Sequence, residues 1–184
     1  MSQTILILST SPRKGGNSDT LANEFLKGAK DVGHRVEKVC LSDKTIRFCK
    51  GCLACNQTHR CVIHDDADKI AQKMRAADVL VFATPIYYYE MCGQMKTMLD
   101  RANPLYGSDY RFRDIYLLST AAEDGGDVPR RAENGLQGWI DCFPKARLTG
   151  TVFAGGVDTP GSIQGHPALK KAYEMGRAVS ARKE

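Results

Sequence analysis

The strongest constraint on this chain is the stretch 78–83 (DVLVFA), an unbroken β-prone apolar run after its leading aspartate. A strand with one wet face alternates polar and apolar residues. A run without alternation needs cover on both faces. The rest of the sequence supplies that cover. Strand-like segments at 4–8 (TILIL), 35–41, 114–119 and 148–155 alternate with helical patterns at 18–32, 66–77, 91–102, 131–143 and 167–180. Strands separated by helices predict parallel pairing with helices on either side. The expected fold is α/β: a doubly wound five-stranded parallel sheet in a three-layer sandwich, with residues 1–184 as one domain.

In such sheets ligands bind at the carboxyl ends of the strands, where the strand order reverses. Three segments fall at that edge: 9–18, 84–93 and 119–126. The first (STSPRKGGNS) joins a strand to a helix start. Unpaired N–H groups and the helix dipole make such a junction an anion site. Ser9, Ser11, Asn17, Ser18 and Thr20 can each donate a further hydrogen bond, and Arg13 adds a fixed charge. Neither G-x-x-x-x-G-K-[ST] nor G-x-G-x-x-G occurs here. A single terminal phosphate therefore suits this loop better than a pyrophosphate. The plainer alternative is that Asn17 or Ser18 caps the helix and no ligand binds.

The second segment holds three consecutive tyrosines, Tyr87, Tyr88 and Tyr89, just beyond the buried strand. At least one ring is expected to line a pocket for a flat ligand or a subunit interface. Pro85 fixes the chain's exit from the strand. The third segment (STAAEDGG) has small side chains and paired glycines, Gly125 and Gly126, which let backbone approach a ligand.

Composition excludes several classes. The hydrophobic fraction is 42%, no apolar stretch approaches a membrane span, and no basic region precedes TILIL as in a signal peptide. A cytoplasmic protein with no membrane partner is expected. The net charge of +5 comes from scattered residues, with small groups at Arg111/Arg113, Arg130/Arg131 and Arg177/Arg182/Lys183. That is too dilute for nucleic acid.

Seven cysteines in a cytosolic chain are unsuited to structural disulfides. Four of them, Cys49-x2-Cys52-x2-Cys55-x5-Cys61, sit in the long connection after the second strand. This spacing matches [4Fe–4S] ligation. Structural zinc and metal-free thiols remain open alternatives, zinc being disfavoured because paired knuckles usually lie farther apart. His59 and His64 flank the segment and are expected to hydrogen-bond rather than ligate. Cys40, Cys92 and Cys142 are expected as small core residues.

The chain resembles the flavodoxin-like NAD(P)H-dependent FMN reductases, and more narrowly the iron–sulfur flavoprotein branch. The family's phosphate loop, S-x-S-P-R-x-x-G-N-[ST], resembles Ser9, Ser11, Pro12, Arg13, Gly16, Asn17 and Ser18. Its flavin-ring loop, [ST]-P-[IV]-Y, resembles Thr84, Pro85, Ile86 and Tyr87, and its next helix resembles 94–101 (QMKTMLDR). The resemblance implies FMN, with phosphate on the first loop. The ring would lie between the tyrosine segment and the third loop, with Thr120, Ala121 and Gly125 alongside. It also implies NAD(P)H as electron donor, and the four-cysteine pattern of its branch points again to [4Fe–4S]. The expected reaction passes hydride to flavin N5 and electrons on to a quinone, free flavin, metal or aromatic compound. Flavin chemistry requires no acid–base side chain, and backbone N–H groups of 84–91 are the candidate ring contacts. The alternative is a flavin electron-transfer protein serving protein partners. A homodimer or homotetramer is expected. The aromatic segment 103–113, with Tyr106, Tyr110 and Phe112, would wall the flavin pocket at a subunit boundary.

Overall fold

The computed structural model describes residues 1–180. The Arg182/Lys183 part of the last basic group therefore lies outside the described residues. Five parallel strands, β1 (Thr4–Ser9), β2 (Arg35–Cys40), β3 (Val79–Tyr87), β5 (Asp114–Thr120) and β6 (Arg147–Ala154), are ordered β2-β1-β3-β5-β6. The order reverses between β1 and β3, and the carboxyl ends of those two strands make the switch point.

Alternation along the central strands sorts their side chains to two faces. Ile5 and Ile7 of β1, with Val79 and Val81 of β3, pack under α1 (Asn17–Asp31) and α6 (Pro167–Arg177). Leu6, Leu8, Leu80 and Phe82 meet α3 (Asp66–Ala76), α4 (Gly93–Arg101) and α5 (Arg130–Ile140) on the other face. This two-sided burial is what the unbroken apolar run required. Helices α1 and α6 touch backbone to backbone. A Cβ on Gly28 would fall 2.0 Å from the Tyr173 carbonyl oxygen, and one on Gly176 would fall 2.2 Å from that of Phe25.

Three local expectations are corrected. The segment 84–93 is not simply a loop: β3 runs on through Tyr87 and turns back as β4 (Glu90–Met91), pairing Tyr87 with Glu90. The last β1–β3 pair is Ser9 with Ala83, so at Pro85 the strand has β5 on one side only. An edge of that kind tolerates proline. The aromatic segment 103–113 presents only one of its three rings outward. Phe112 is fully buried and Tyr110 nearly so, stacked at 4.5 Å and packed against Phe143. Tyr106 alone of the three is exposed. Cys142 is exposed at the end of α5, while Cys92 is buried and Cys40 half-buried.

Among the described residues no helix is long and apolar enough to cross a membrane.

Candidate flavin and cysteine sites

A cleft of about 270 Å³ opens at the carboxyl ends of β1, β3, β5 and β6. Its floor is the start of α1. Gly16 occupies the N-cap position and no side chain caps the helix. Asn17 does not cap it either. Its amide donates to the Thr159 carbonyl (2.9 Å) and Ser162 Oγ (3.2 Å), and its Oδ1 accepts from the Gly161 and Ile163 amides. The helix N–H groups are thereby left for another acceptor. Ser18 Oγ lines the same cleft, in a residue 1% exposed, and has no hydrogen-bond partner among the described residues. A buried orphan hydroxyl at a helix N-terminus is the donor set that a phosphate would satisfy.

The loop leading into α1 ties itself down. Ser11 Oγ donates to the Arg13 carbonyl and accepts from the Arg13 amide. A Cβ on Gly16 would lie 2.5 Å from Ser11 Oγ, so only glycine leaves this cradle open. Arg13 reaches across the cleft, with Nη1 3.0 Å from the Asp158 carbonyl oxygen.

Pro85, Ile86 and Tyr87 form one wall, and Thr120, Ala121 and Ala122 another. Val157, Asp158 and Pro160, from the connection after β6, complete the rim. Sequence reasoning left that connection out. Its signal was present in the turn-rich GGVDTPG at 155–161, which also follows a strand's carboxyl end. Packing knits it to the third loop: the Val157 amide donates to the Ala121 carbonyl, and a Cβ on Gly155 would meet Asp124 at 2.5 Å.

Six expected residues do not line this cleft. Ser9 Oγ turns to Asp19 (2.7 Å), which also accepts from Lys38 (2.7 Å), below the loop. Thr84 Oγ1 is engaged inside the hairpin, donating to the Pro85 carbonyl and accepting from the Cys92 amide. Pro12 is exposed, and Gly125 packs beside Asp127 and Val128. Tyr88 and Tyr89 form the hairpin turn, both with positive φ (51° and 64°). For tyrosine that conformation is strained. Tyr89 Oη donates to Glu123 (2.8 Å), and this carboxylate holds the phenol above its usual pKa. Tyr88 is 98% exposed.

The four clustered cysteines line a second, more apolar cavity of about 450 Å³, joined by Cys142, Trp139 and Phe143. It lies against the C-terminal end of α4, while Gly93, at the other end of that helix, adjoins the tyrosine hairpin. Nine residues of helix, about 13 Å, separate the two ends. Cys55 opens the single turn α2 (Cys55–Thr58) and is buried. Cys61 is half-buried, and Cys49 and Cys52 are exposed on irregular chain. Among the described residues no three His, Cys, Asp or Glu side chains are gathered as a metal-holding group. The chemistry of the donor set nonetheless fits a sulfur-ligated centre: four thiols on one cavity, three of them already receiving N–H donors, and two of those three from side chains. Asn103 Nδ2 lies 3.0 Å from Cys55 Sγ, and Arg101 Nη2 3.5 Å from Cys61 Sγ.

Arg101 organises the base of this segment, and its side chain is wholly buried. It bonds both Asp65 oxygens at 2.8 Å, the Arg47 carbonyl at 2.6 Å and the Ile63 carbonyl at 3.1 Å. Burial alone would raise the Asp65 carboxyl, but bonds from Arg101 and the Arg47 and Ala67 amides outweigh it and hold it low. Asp65 also caps α3. Nearby, Arg60 bonds Asp68 and lowers its carboxyl. His59 and His64 carry the segment's carbonyl contacts to Gln72 and Arg47.

Comparison with known proteins matches the geometry. The family model for NADPH-dependent FMN reductase matches residues 3–166. An iron–sulfur flavoprotein of Archaeoglobus fulgidus is 33% identical over 172 residues, covering 92% of this chain and 76% of that one. Another, from Methanosarcina thermophila, is 32% identical over 168 residues, covering 91% and 85%. Among solved structures, an NAD(P)H:quinone oxidoreductase from Methanothermobacter marburgensis superposes with a TM-score of 0.75 at 17% identity, over 100% of this chain and 99% of that one. An azoreductase from Bacillus anthracis gives 0.70 at 16%, over 96% and 99%. The strand order, the cleft at the switch point and these matches agree: the chain belongs to the NADPH-dependent FMN reductase family, on the branch of the iron–sulfur flavoproteins.

Proposed function

We propose that this FMN-dependent oxidoreductase holds FMN phosphate at the start of α1 and carries electrons from NAD(P)H to a small, flat acceptor such as a quinone. Bound FMN supplies a ring that accepts hydride from a reduced nicotinamide and passes the electrons on. The chain's own residues bind and orient it. Ser18, Ser11 and the first amides of α1 hold the phosphate, with Gly16 keeping the cradle open. Pro85, Ile86 and Tyr87 flank the ring on one side and Thr120 and Ala121 on the other. Arg13 and Asn17 fasten the connection after β6 over the opening. The observation that carries this reading is the buried, unpartnered Ser18 hydroxyl at an uncapped helix start. Heat-released flavin identified by chromatography tests it. One FMN per chain is expected; FAD, or no flavin after FMN is added, overturns the reading.

A flat acceptor is supported by the names of proteins sharing this fold, a quinone oxidoreductase and an azoreductase. The cysteine cavity favours a [4Fe–4S] cluster on Cys49, Cys52, Cys55 and Cys61, in keeping with the relatives' name, iron–sulfur flavoprotein. Such a cluster would let the flavin exchange electrons with a protein partner. About four irons per chain are expected after anaerobic, iron-replete expression; iron-free folded protein from that preparation overturns the cluster. We place the protein in the cytoplasm, as a homodimer or homotetramer. The exposed Tyr88 at the cleft's hairpin supports a subunit surface there. Light scattering that gives a monomer with full FMN and activity overturns the oligomer.

A further inference from the structure

We propose that the end of α4 sets the reduction potential of the cluster, through Arg101 and Asn103 as N–H donors to its cysteine sulfurs. This inference rests on the cluster reading above.

Arg101 is more than an anchor. Four of the acceptors around its guanidinium are oxygens, the ordinary partners of a buried arginine: two of Asp65 and the carbonyls of Arg47 and Ile63. The fifth is Cys61 Sγ, a weak acceptor as a thiol and a strong one as a metal-bound thiolate. The Nε N–H has no acceptor among the described residues, although the group is buried and borders the cysteine cavity. Buried donors are rarely left unpaired, and a sulfur-rich centre in that cavity would supply the missing acceptor. Two residues on, Asn103 directs its amide at Cys55 Sγ, at 3.0 Å. Both inner cysteines thus take a side-chain donor from the same short stretch.

The consequence for the cluster follows from charge. Adding an electron adds negative charge to the sulfurs, and N–H donors and a buried cation favour that state. Hydrogen bonds to sulfur and net local charge are among the levers that set cluster potentials. Asp65 offsets part of the arginine's charge, so the directed N–H groups carry much of the effect. Arg101 and Asn103 act through the cysteines and are positioning residues.

The test is a potentiometric titration of the cluster's own paramagnetic signal in anaerobic, iron-loaded full-length protein. Wild type, Asn103→Ala and Arg101→Lys are compared, with iron, sulfide and FMN counted in each. Both variants are expected to keep FMN and titrate at a more negative potential than wild type, with altered iron–sulfur stretching frequencies. Asn103 is half-exposed, so its variant decides the matter if Arg101→Lys does not fold. Iron-loaded variants with wild-type potentials overturn this inference and leave the cluster standing. An iron-free wild type overturns both.

Discussion

The cleft at the strand ends and the cavity at the foot of α4 are built by different means. The cleft is made from strand ends, the loops that follow them and a helix start, tied together by neutral hydrogen bonds such as those of Asn17 and Ser11. The cysteine cavity is formed where a long, largely irregular connection meets the ends of α4 and α5, and that connection is anchored by the buried ion pair of Arg101 with Asp65. A site made of strand ends and a helix start comes with the fold. A site made of a long connection exists only while its charged anchor holds.

The largest effect should come from removing that anchor. Arg101→Met leaves buried Asp65 with only the Arg47 and Ala67 amides and a 3.7 Å contact to the Arg47 guanidinium, and should cost about 3 kcal/mol, read as a loss of midpoint in urea. Adding Asp65→Asn should recover part of it. Flavin affinity of the folded fraction should barely change, and a large change would erase the distinction between the two regions. Next comes Asn17→Ala, which strands the Gly161 and Ile163 amides and should cost about 1–3 kcal/mol. It should also weaken FMN, because the far rim comes loose. Ser18→Ala should leave the apoprotein as stable as before, its hydroxyl being unpartnered, yet raise the FMN dissociation constant about tenfold. Equal loss in both measurements would mean the hydroxyl serves the fold instead.

The smallest effect is that of acid. Asp65 and Asp68 both have folded-state pKa values below the ordinary carboxylate value of 3.8. Such groups add stability above that value and lose it as pH falls through the lowered one. The cysteine segment should therefore loosen first on acidification, seen as earlier proteolysis within 44–64 while the flavin cleft stays closed. Asp65→Asn should flatten the acid slope.

How much of this could be read in the sequence follows the same division. The run DVLVFA announced a strand buried on both faces, and STSPRKGGNS announced a strand running into a helix start. Both signals are local, and both stand in the structure. What escaped was non-local. Pro85 suggested the end of a strand, but whether a proline breaks a strand depends on which neighbours that strand still has. Tyr110 and Phe112 resembled a surface because nothing nearby in sequence covers them. Their partner is Phe143, some thirty residues on. Asn17 resembled a cap until the segment 159–163 gave it better partners. The spacing of the cysteines was plain, yet the arginine beneath them lay forty residues from Cys61.

The glycine contact between α1 and α6 bears on how the protein is made. The first helix and the last one lie so close that neither tolerates a side chain where they cross. The later turns of α1 are packed on α6, and its start, where the phosphate would sit, is steadied through Asn17 by the connection that precedes α6. During synthesis the first helix emerges early and waits for nearly the whole chain. With the phosphate seated there as proposed, a nascent chain is expected to bind FMN only after residues beyond 163 have left the exit tunnel, which would make cofactor capture a late event of folding.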